Sequence, residues 1–251
     1  MGANARRRLD TWRLEAWLIV LASACVLAWS LLVADAVGLA RSGFCSLGAA
    51  APDFVLGSES AAKLIWDWAL MVVAMMAPLV VSPLQHLRDR SFARRRARAT
   101  ALFLSGYLTA WMAAGAGLLT LADVARESPF PPALGFALAT VAAALWQVSP
   151  AKQWALNRCC RRPRLAAFGA AADLDALDFG LTHGAACIGA CWALMTLLFF
   201  SGRGHLAGMA LVTLFAFAER LEDPAPIAWR WRGFGKALRI AVAQARIGLA
   251  L

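Results

Sequence analysis

Long apolar stretches alternate with short basic or Gly/Pro-rich joints along the whole chain. A helix needs about 20 mostly apolar residues to cross a hydrocarbon layer roughly 30 Å thick. The pattern therefore predicts an all-α, polytopic transmembrane bundle of about six spans, forming a single membrane domain over residues 1–251. The predicted spans are 14–34, 64–85, 100–121, 133–151, 180–200 and 205–218.

Two segments near the C-terminal end are shorter than this rule requires. The span at 205–218 reaches only about 21 Å at 1.5 Å per residue, so its flanking arginines must snorkel or the membrane must thin. The stretch 237–251 carries Arg239 and Arg246 and is too short to span untilted. It predicts an amphipathic interfacial helix, with a seventh, partial span as the alternative.

Arginine and lysine concentrate in every second joint between the predicted spans. The N-terminus and the joints after spans two, four and six are basic, whereas the joints at 36–63, 122–132 and 201–204 are poor in these residues. Cytoplasmic loops of membrane proteins carry such an excess. Six spans with both termini in the cytoplasm satisfy the pattern at every joint, so we expect an integral membrane protein that is surrounded by the lipid bilayer and has both termini inside.

The net charge of +10 lies largely in these joints, so it indicates membrane orientation and no nucleic-acid partner. Of the six cysteines, only Cys45 falls in a loop expected to face the oxidising side, which argues against a disulfide framework. The chain has no Walker loop, GxSxG elbow or HExxH helix. A non-enzymatic role is favoured.

The fifth predicted span contains a stripe of potential metal ligands, each four residues from the next: His183, Cys187, Cys191 and Met195. Steps of four residues advance roughly 40° around a helix, so all four side chains share one face. The stripe is about 18 Å long, and one ion cannot touch every member. It predicts one or two sites, or a path for an ion.

The second predicted span offers further sulfur ligands in Met71, Met75 and Met76. Spans two and five run in opposite directions, yet their sulfur atoms are expected at similar depth. Thiolate and thioether donors select Cu(I) over hard cations. These three methionines and the stripe of span five are therefore the predicted metal ligands. The alternative is that Met and Cys only fill the core, as they often do.

Other candidates are weaker. Cys159 and Cys160 lie beside several arginines, where they could capture metal or oxidise at the cytoplasmic mouth, or belong to an ordinary loop. Gln147 is expected to form a hydrogen bond between helices. Glu219 closes span six, either as a ligand or as a charge at the helix end.

At these residues the chain resembles a bacterial family of predicted metal-binding integral membrane proteins, known as domain of unknown function 2182 and sometimes labelled copper chaperone. The resemblance covers spans two to six, and the span-five motif is the most specific part of it. It implies metal binding and a membrane location, and with the charge pattern it leads us to expect the inner membrane of a bacterium. The matching motifs are WALMVVAMMAP (Trp68–Pro78), GYLTAW (Gly106–Trp111), WQVSPAK (Trp146–Lys152) and HGAACIGACWALM (His183–Met195).

The chain departs from the family pattern in the same motifs. The family usually reads CxGCCW in span five, but here Ala190 replaces the first cysteine of the pair. Ala155 stands where the family tends to have the first of two cysteines after the lysine of span four, and Gly204 stands where it often has methionine. These departures imply weaker metal binding or fewer sites.

The expected role is to hold, deliver or move Cu(I), for example to a copper enzyme under assembly or a periplasmic copper carrier. Two alternatives stay open. One is a membrane redox protein that uses haem or a thiol pair. The other is a metal-free scaffold that docks a partner through small-residue faces, which would make Gly184 and Gly189 intolerant of bulky replacement.

Overall fold

The computed structural model describes residues 3–37, 58–127, 131–199 and 204–248. In this part of the chain all regular structure is helical, which confirms the predicted all-α class. The position predicted for Cys45 lies outside the described residues. The helices are α1 (Ala3–Ala36), α2 (Ser58–Arg90), α3 (Arg96–Glu127), α4 (Pro132–Val148), α5 (Pro150–Cys159), α6 (Gly169–Leu198), α7 (His205–Leu221) and α8 (Gly235–Gly248).

The number of helices able to cross a membrane is smaller than the sequence predicted. Four helices of the described ranges are long and apolar enough, and a fifth span results if α4 and α5 count as one bent span. The predicted count of about six is therefore too high by this measure. The difference is α7, because its 17 residues rise only about 26 Å. The four long segments are Ala16–Ala36, Lys63–Arg90, Arg96–Leu121 and Gly169–Leu198.

Span four is broken at a Ser-Pro pair instead of continuing to residue 151. The axes of α4 and α5 differ by 62°, because Pro150 disfavours a helical conformation at the residue before it and Ser149 is extended, with ψ 148°. Ser149 then caps the next helix, since its Oγ accepts a hydrogen bond from Lys152 N at 3.2 Å. This turn directs Lys152 into the protein core, where its side chain is fully buried.

Helix α6 packs most closely against α3, and glycines allow the approach. A Cβ atom at Gly180 would lie 2.1 Å from the carbonyl oxygen of Phe103, and one at Gly106 would lie 2.5 Å from the carbonyl oxygen of Leu177. Small residues let membrane helices approach backbone to backbone in this way. Because one face of α6 is held against α3, its remaining faces are available to the other helices of the bundle.

Helix α7 runs back along α6 in the opposite direction. Near its start, His205 Nδ1 donates a hydrogen bond to the carbonyl oxygen of Leu198 at 3.0 Å. Near its end, Arg220 Nη1 lies 3.4 Å from His183 Nε2 and 3.4 Å from the carbonyl oxygen of Leu79 in α2. The end of α7 therefore meets the middle of α6 and of α2.

The basic joints gather at one end of the bundle. Asp173, near the start of α6, forms ion pairs with Arg95 at 2.5 Å and Arg98 at 2.8 Å. In the same region His86 Nε2 donates a hydrogen bond to the carbonyl oxygen of Pro163 at 3.0 Å. The joints after the second and fourth predicted spans thus lie together, as the charge pattern requires. The side of the membrane that this end faces stays a prediction.

The segment between α7 and α8 folds over α5. Asn157 Nδ2 donates to the carbonyl oxygen of Ala225 at 2.7 Å, and Gln153 Nε2 donates to that of Arg230 at 2.8 Å. Lys236 Nζ lies 2.8 Å from Asp223, and this contact lowers the pKa of the exposed Asp223 carboxyl. Helix α8 is thereby tied to the bundle, and its predicted interfacial position stays a prediction.

Candidate metal site in the helical core

All seven predicted metal ligands are buried in the helical core. Cys191 keeps only 2% of its surface exposed, so it does not face the lipid. The six sulfur-bearing residues belong to one continuous hydrophobic cluster. The sequence thus predicted correctly that these side chains point inward, although burial alone does not distinguish ligands from packing. The seven residues are Met71, Met75, Met76, His183, Cys187, Cys191 and Met195.

Cys187 is the point at which three helices meet. Its Sγ lies 3.7 Å from Met76 Sδ of α2, and it accepts a hydrogen bond from the hydroxyl of Tyr107 in α3 at 3.2 Å. Cys187 and Met76 are 0% and 1% exposed, and Tyr107 is 2% exposed. The predicted meeting of sulfur atoms from the second and fifth spans therefore occurs at this pair. The sequence offered no reason to single out Tyr107.

In the described core, imidazole, thiol and carboxylate groups alone do not form a closed set of ligands. Among the described residues, no group of three or more His, Cys, Asp or Glu side chains is placed to hold a metal ion. Met76 Sδ is the sulfur atom that a second helix places next to Cys187. Whether Met71, Met75, Cys191 and Met195 bind metal stays a prediction. Met209 of α7 is also completely buried in this core and was missed, because nothing in its sequence context marks it.

His183 lies one helical turn from Cys187, but its imidazole faces a different neighbour. Arg220 Nη1 donates to its Nε2 at 3.4 Å, while its Nδ1 is buried without a hydrogen-bond partner. Aromatic rings of Phe103, Tyr107 and Phe179 surround it at centroid distances of 5.9–6.0 Å. His183 therefore sits between the sulfur pair and a charged pocket.

This pocket, which we call the basic pocket, has a volume of about 230 Å³. His183 and Arg220 form part of its wall, together with backbone and side chains from α2, α6 and α7. Cys159 and Cys160 also line it, as do Arg161 and Arg162. The sequence had placed these two cysteines at a possible cytoplasmic entrance. The basic pocket thus connects the arginine-rich joint with the residue next to the sulfur pair. Only the fold could show that Arg220 joins it.

A buried ion pair lies between α5 and α7 in the helical core. Lys152 Nζ is 2.8 Å from the carboxylate of Glu219, and the two side chains are 0% and 2% exposed. Lys152 also contacts Gln147 Oε1. Glu219 is therefore a buried, paired charge. Gln147 of α4 accepts a hydrogen bond from Lys152 of α5, so it bonds between two helices, as expected. The pair links α5 to α7 inside the core.

The small residues of α6 that could have formed a docking face pack against other helices of the same chain. A Cβ atom at Gly184 would lie 2.9 Å from Ala110 Cβ in α3, and one at Gly189 would lie 3.1 Å from Ala155 Cβ in α5. The carbonyl of Gly189 also accepts a hydrogen bond from Trp146 Nε1 at 2.9 Å. These two glycines pack the bundle internally, which removes the structural basis for a partner-docking surface at them.

These features define an all-helical membrane protein whose core brings a thiol and a thioether together beside an arginine-lined pocket. The family model PpoB2, described as copper chaperone, matches residues 65–242. The chain belongs to this family, and the resemblance drawn from the motifs of spans two and five is confirmed. The matched region contains all seven predicted ligands. No curated protein and no solved structure matches the chain.

Proposed function

We propose that this protein binds Cu(I) in the membrane at Cys187 and Met76 and holds it for delivery. The observation that carries the proposal is the 3.7 Å separation of Cys187 Sγ and Met76 Sδ inside the core. Thiolate and thioether together favour Cu(I), whereas Mg²⁺ and Ca²⁺ prefer oxygen ligands. Membership of a family described as copper chaperone supports the same cargo.

The separation of the two sulfur atoms suits a shared ion. Metal–sulfur bonds are about 2.3 Å long, so two sulfur ligands at a tetrahedral angle lie roughly 3.8 Å apart. Cys187 and Met76 are already at this spacing. Both belong to helices packed in the core, so little rearrangement is needed to form the two bonds. The hydroxyl of Tyr107 donates to Cys187 Sγ and would stabilise the thiolate that binds the ion.

The other predicted ligands extend the site in two directions. His183 lies between Cys187 and the basic pocket. Cys191 and Met195 lie further along α6, towards its C-terminal end. Met71 and Met75 run along α2 in the same core. This succession of buried soft ligands supports stepwise movement of the ion through the bundle.

The proposed setting is the inner membrane of a bacterium, with both termini in the cytoplasm. This arrangement requires the 17-residue α7 to cross as a short sixth span. The alternation of basic and non-basic joints supports this orientation. With the basic end inside, α6 runs outward and α7 returns, so Cu(I) would pass between a cytoplasmic pocket and the outer ends of the helices. A copper enzyme under assembly or a periplasmic copper carrier would be the partner on the outer side.

The test is the copper content of detergent-purified protein loaded with Cu(I) under reducing conditions. We expect wild type to retain copper, and Cys187→Ser and Met76→Leu each to lose most of it, because each removes one sulfur at nearly constant volume. Cys25→Ser is the matched control, since Cys25 lies in α1 and its thiol contacts the carbonyl oxygen of Ala74 instead of the sulfur pair.

Equal copper in wild type, Cys187→Ser and a Cys187→Ser/Cys191→Ser double variant would defeat the proposal. An absorbance spectrum of the same samples detects haem, and thiol titration before and after mild oxidation detects a redox-active cysteine pair. Either result would favour the redox alternative over copper delivery.

A further inference from the structure

The basic pocket has a charge that does not suit a bare copper cation. Arg161, Arg162 and Arg220 all line it, and no aspartate or glutamate is among its described lining residues. Three guanidinium groups repel a monovalent cation and attract an anion, and a partly enclosed pocket is screened less by salt than an open surface. The path to the copper site proposed above is therefore lined by positively charged side chains, which favour an anionic ligand.

Arg220 contributes a buried positive charge to the wall of this pocket. Its Nη1 approaches His183 and the carbonyl oxygen of Leu79, but its Nε and Nη2 are buried without a hydrogen-bond partner. A buried guanidinium without a full set of partners costs stability. A carboxylate matches the fork of a guanidinium group. The exposed Arg161 and Arg162 are therefore the groups that would bind a carboxylate, and Arg220 adds positive charge from the wall.

Thiols lie on the same pocket wall. Cys159 and Cys160 are half-buried there, next to the two exposed arginines. Ser82 also lies at the wall, and its hydroxyl lies 3.1 Å from Arg162 Nη2. The pocket thus combines cationic groups that recognise carboxylates with sulfur atoms that accept a soft ion.

We propose that the basic pocket binds the carrier of the copper, a small thiol that bears carboxylate groups, and that Cu(I) reaches the chain as an anionic thiolate complex. The arginines hold the carboxylates of the carrier. A bond from Cu(I) to a cysteine sulfur of the pocket then forms as the bond to the carrier sulfur breaks. The proton of the receiving thiol passes to the released thiolate, and no electron is transferred. This inference rests on the copper-binding function proposed above.

The first experiment compares two donors of opposite charge in anaerobic buffer. Glutathione-bound Cu(I) is the anionic donor, and the tetrakis(acetonitrile) complex of Cu(I) is the cationic donor. In Arg161→Gln/Arg162→Gln we expect loading from the anionic donor to slow by roughly tenfold or more, with loading from the cationic donor unchanged or faster. Arg90→Gln/Arg94→Gln removes two exposed charges from the same basic end but outside the pocket, and should load like wild type.

The second experiment needs no metal, so it separates this inference from the copper site. Reduced glutathione is titrated into metal-free protein by calorimetry, and we expect binding to wild type and to the Arg90→Gln/Arg94→Gln control but not to Arg161→Gln/Arg162→Gln. Absence of binding to wild type, or equal binding to all three proteins, would overturn the proposal that the basic pocket binds the carrier. If glutathione binds as expected but neither donor loads wild type, the pocket stands and the copper-binding proposal fails.

Discussion

The buried ion pair between Lys152 and Glu219 provides a sharp test of the fold around the candidate site. Both side chains are almost fully removed from solvent, and Lys152 Nζ is 2.8 Å from the carboxylate. Removal of one partner leaves an uncompensated charge in a medium of low dielectric constant. Such a change destabilises a protein by roughly 3–5 kcal/mol, whereas exchange of both partners for neutral side chains of similar volume is often close to neutral.

We therefore expect Glu219→Gln and Lys152→Met each to lower the free energy of unfolding by roughly 3–5 kcal/mol. The double variant Lys152→Met/Glu219→Gln should lose clearly less than the sum of the two, because no charge remains unpaired. The loss in Lys152→Met should lie at the upper end, since Lys152 also contacts Gln147, which loses its partner.

The assay is unfolding of the purified protein in mixed micelles with increasing denaturing detergent, followed by tryptophan fluorescence. Arg98→Gln is the matched control, because its ion pair with Asp173 is on the surface, with Arg98 70% exposed. Surface pairs contribute about 0–1 kcal/mol. Additive losses in the double variant, or a loss in Glu219→Gln no larger than in Arg98→Gln, would refute the assignment of a buried, charged pair.

Two further predictions concern helix packing and the sulfur pair. Gly180→Ala should destabilise the bundle by roughly 1–3 kcal/mol, because its Cβ would meet the Phe103 carbonyl. A Cβ at Gly117 in α3 has nothing within 4 Å, so Gly117→Ala should be neutral or stabilising by up to about 1 kcal/mol. The same unfolding assay checks both variants, and equal effects would contradict the close packing of α3 and α6. Tyr107→Phe should weaken Cu(I) binding by roughly 2–10-fold, the value of one hydrogen bond to the thiolate, measured by competition with a Cu(I) chelator. Unchanged affinity would remove Tyr107 from the site.

Much of the fold follows from the spacing of apolar and charged residues. The predicted spans 64–85 and 100–121 lie within α2 and α3, since a membrane helix must satisfy its backbone hydrogen bonds internally and so extends over a whole apolar run. Helix α6 begins at Gly169, well before the predicted start at residue 180. The prediction was wrong at Ser149, where a serine and a proline end one helix and start another. It also counted 205–218 as a full span, because composition alone does not show whether a short apolar helix crosses.

Part of the candidate site could likewise be predicted from the sequence, and part could not. The repeat of four residues from His183 to Met195 placed four soft ligands on one helix face, and helix geometry alone requires this. The 3.7 Å approach of Met76 Sδ to Cys187 Sγ depends on the relative shift of α2 and α6 along their axes. Contacts with α3 and α7 set this shift, so no local pattern in either segment contains it.

By itself, therefore, the sequence determined a helical membrane protein, a basic end and a buried face rich in sulfur, because each is a property of one segment and its periodicity. The tertiary structure alone decided that Tyr107 meets Cys187, that Arg220 enters the basic pocket, and that Lys152 pairs with Glu219. These partners are between 37 and 80 positions apart in the chain. Their approach depends on how whole helices pack, and that is a balance of contacts over the entire bundle.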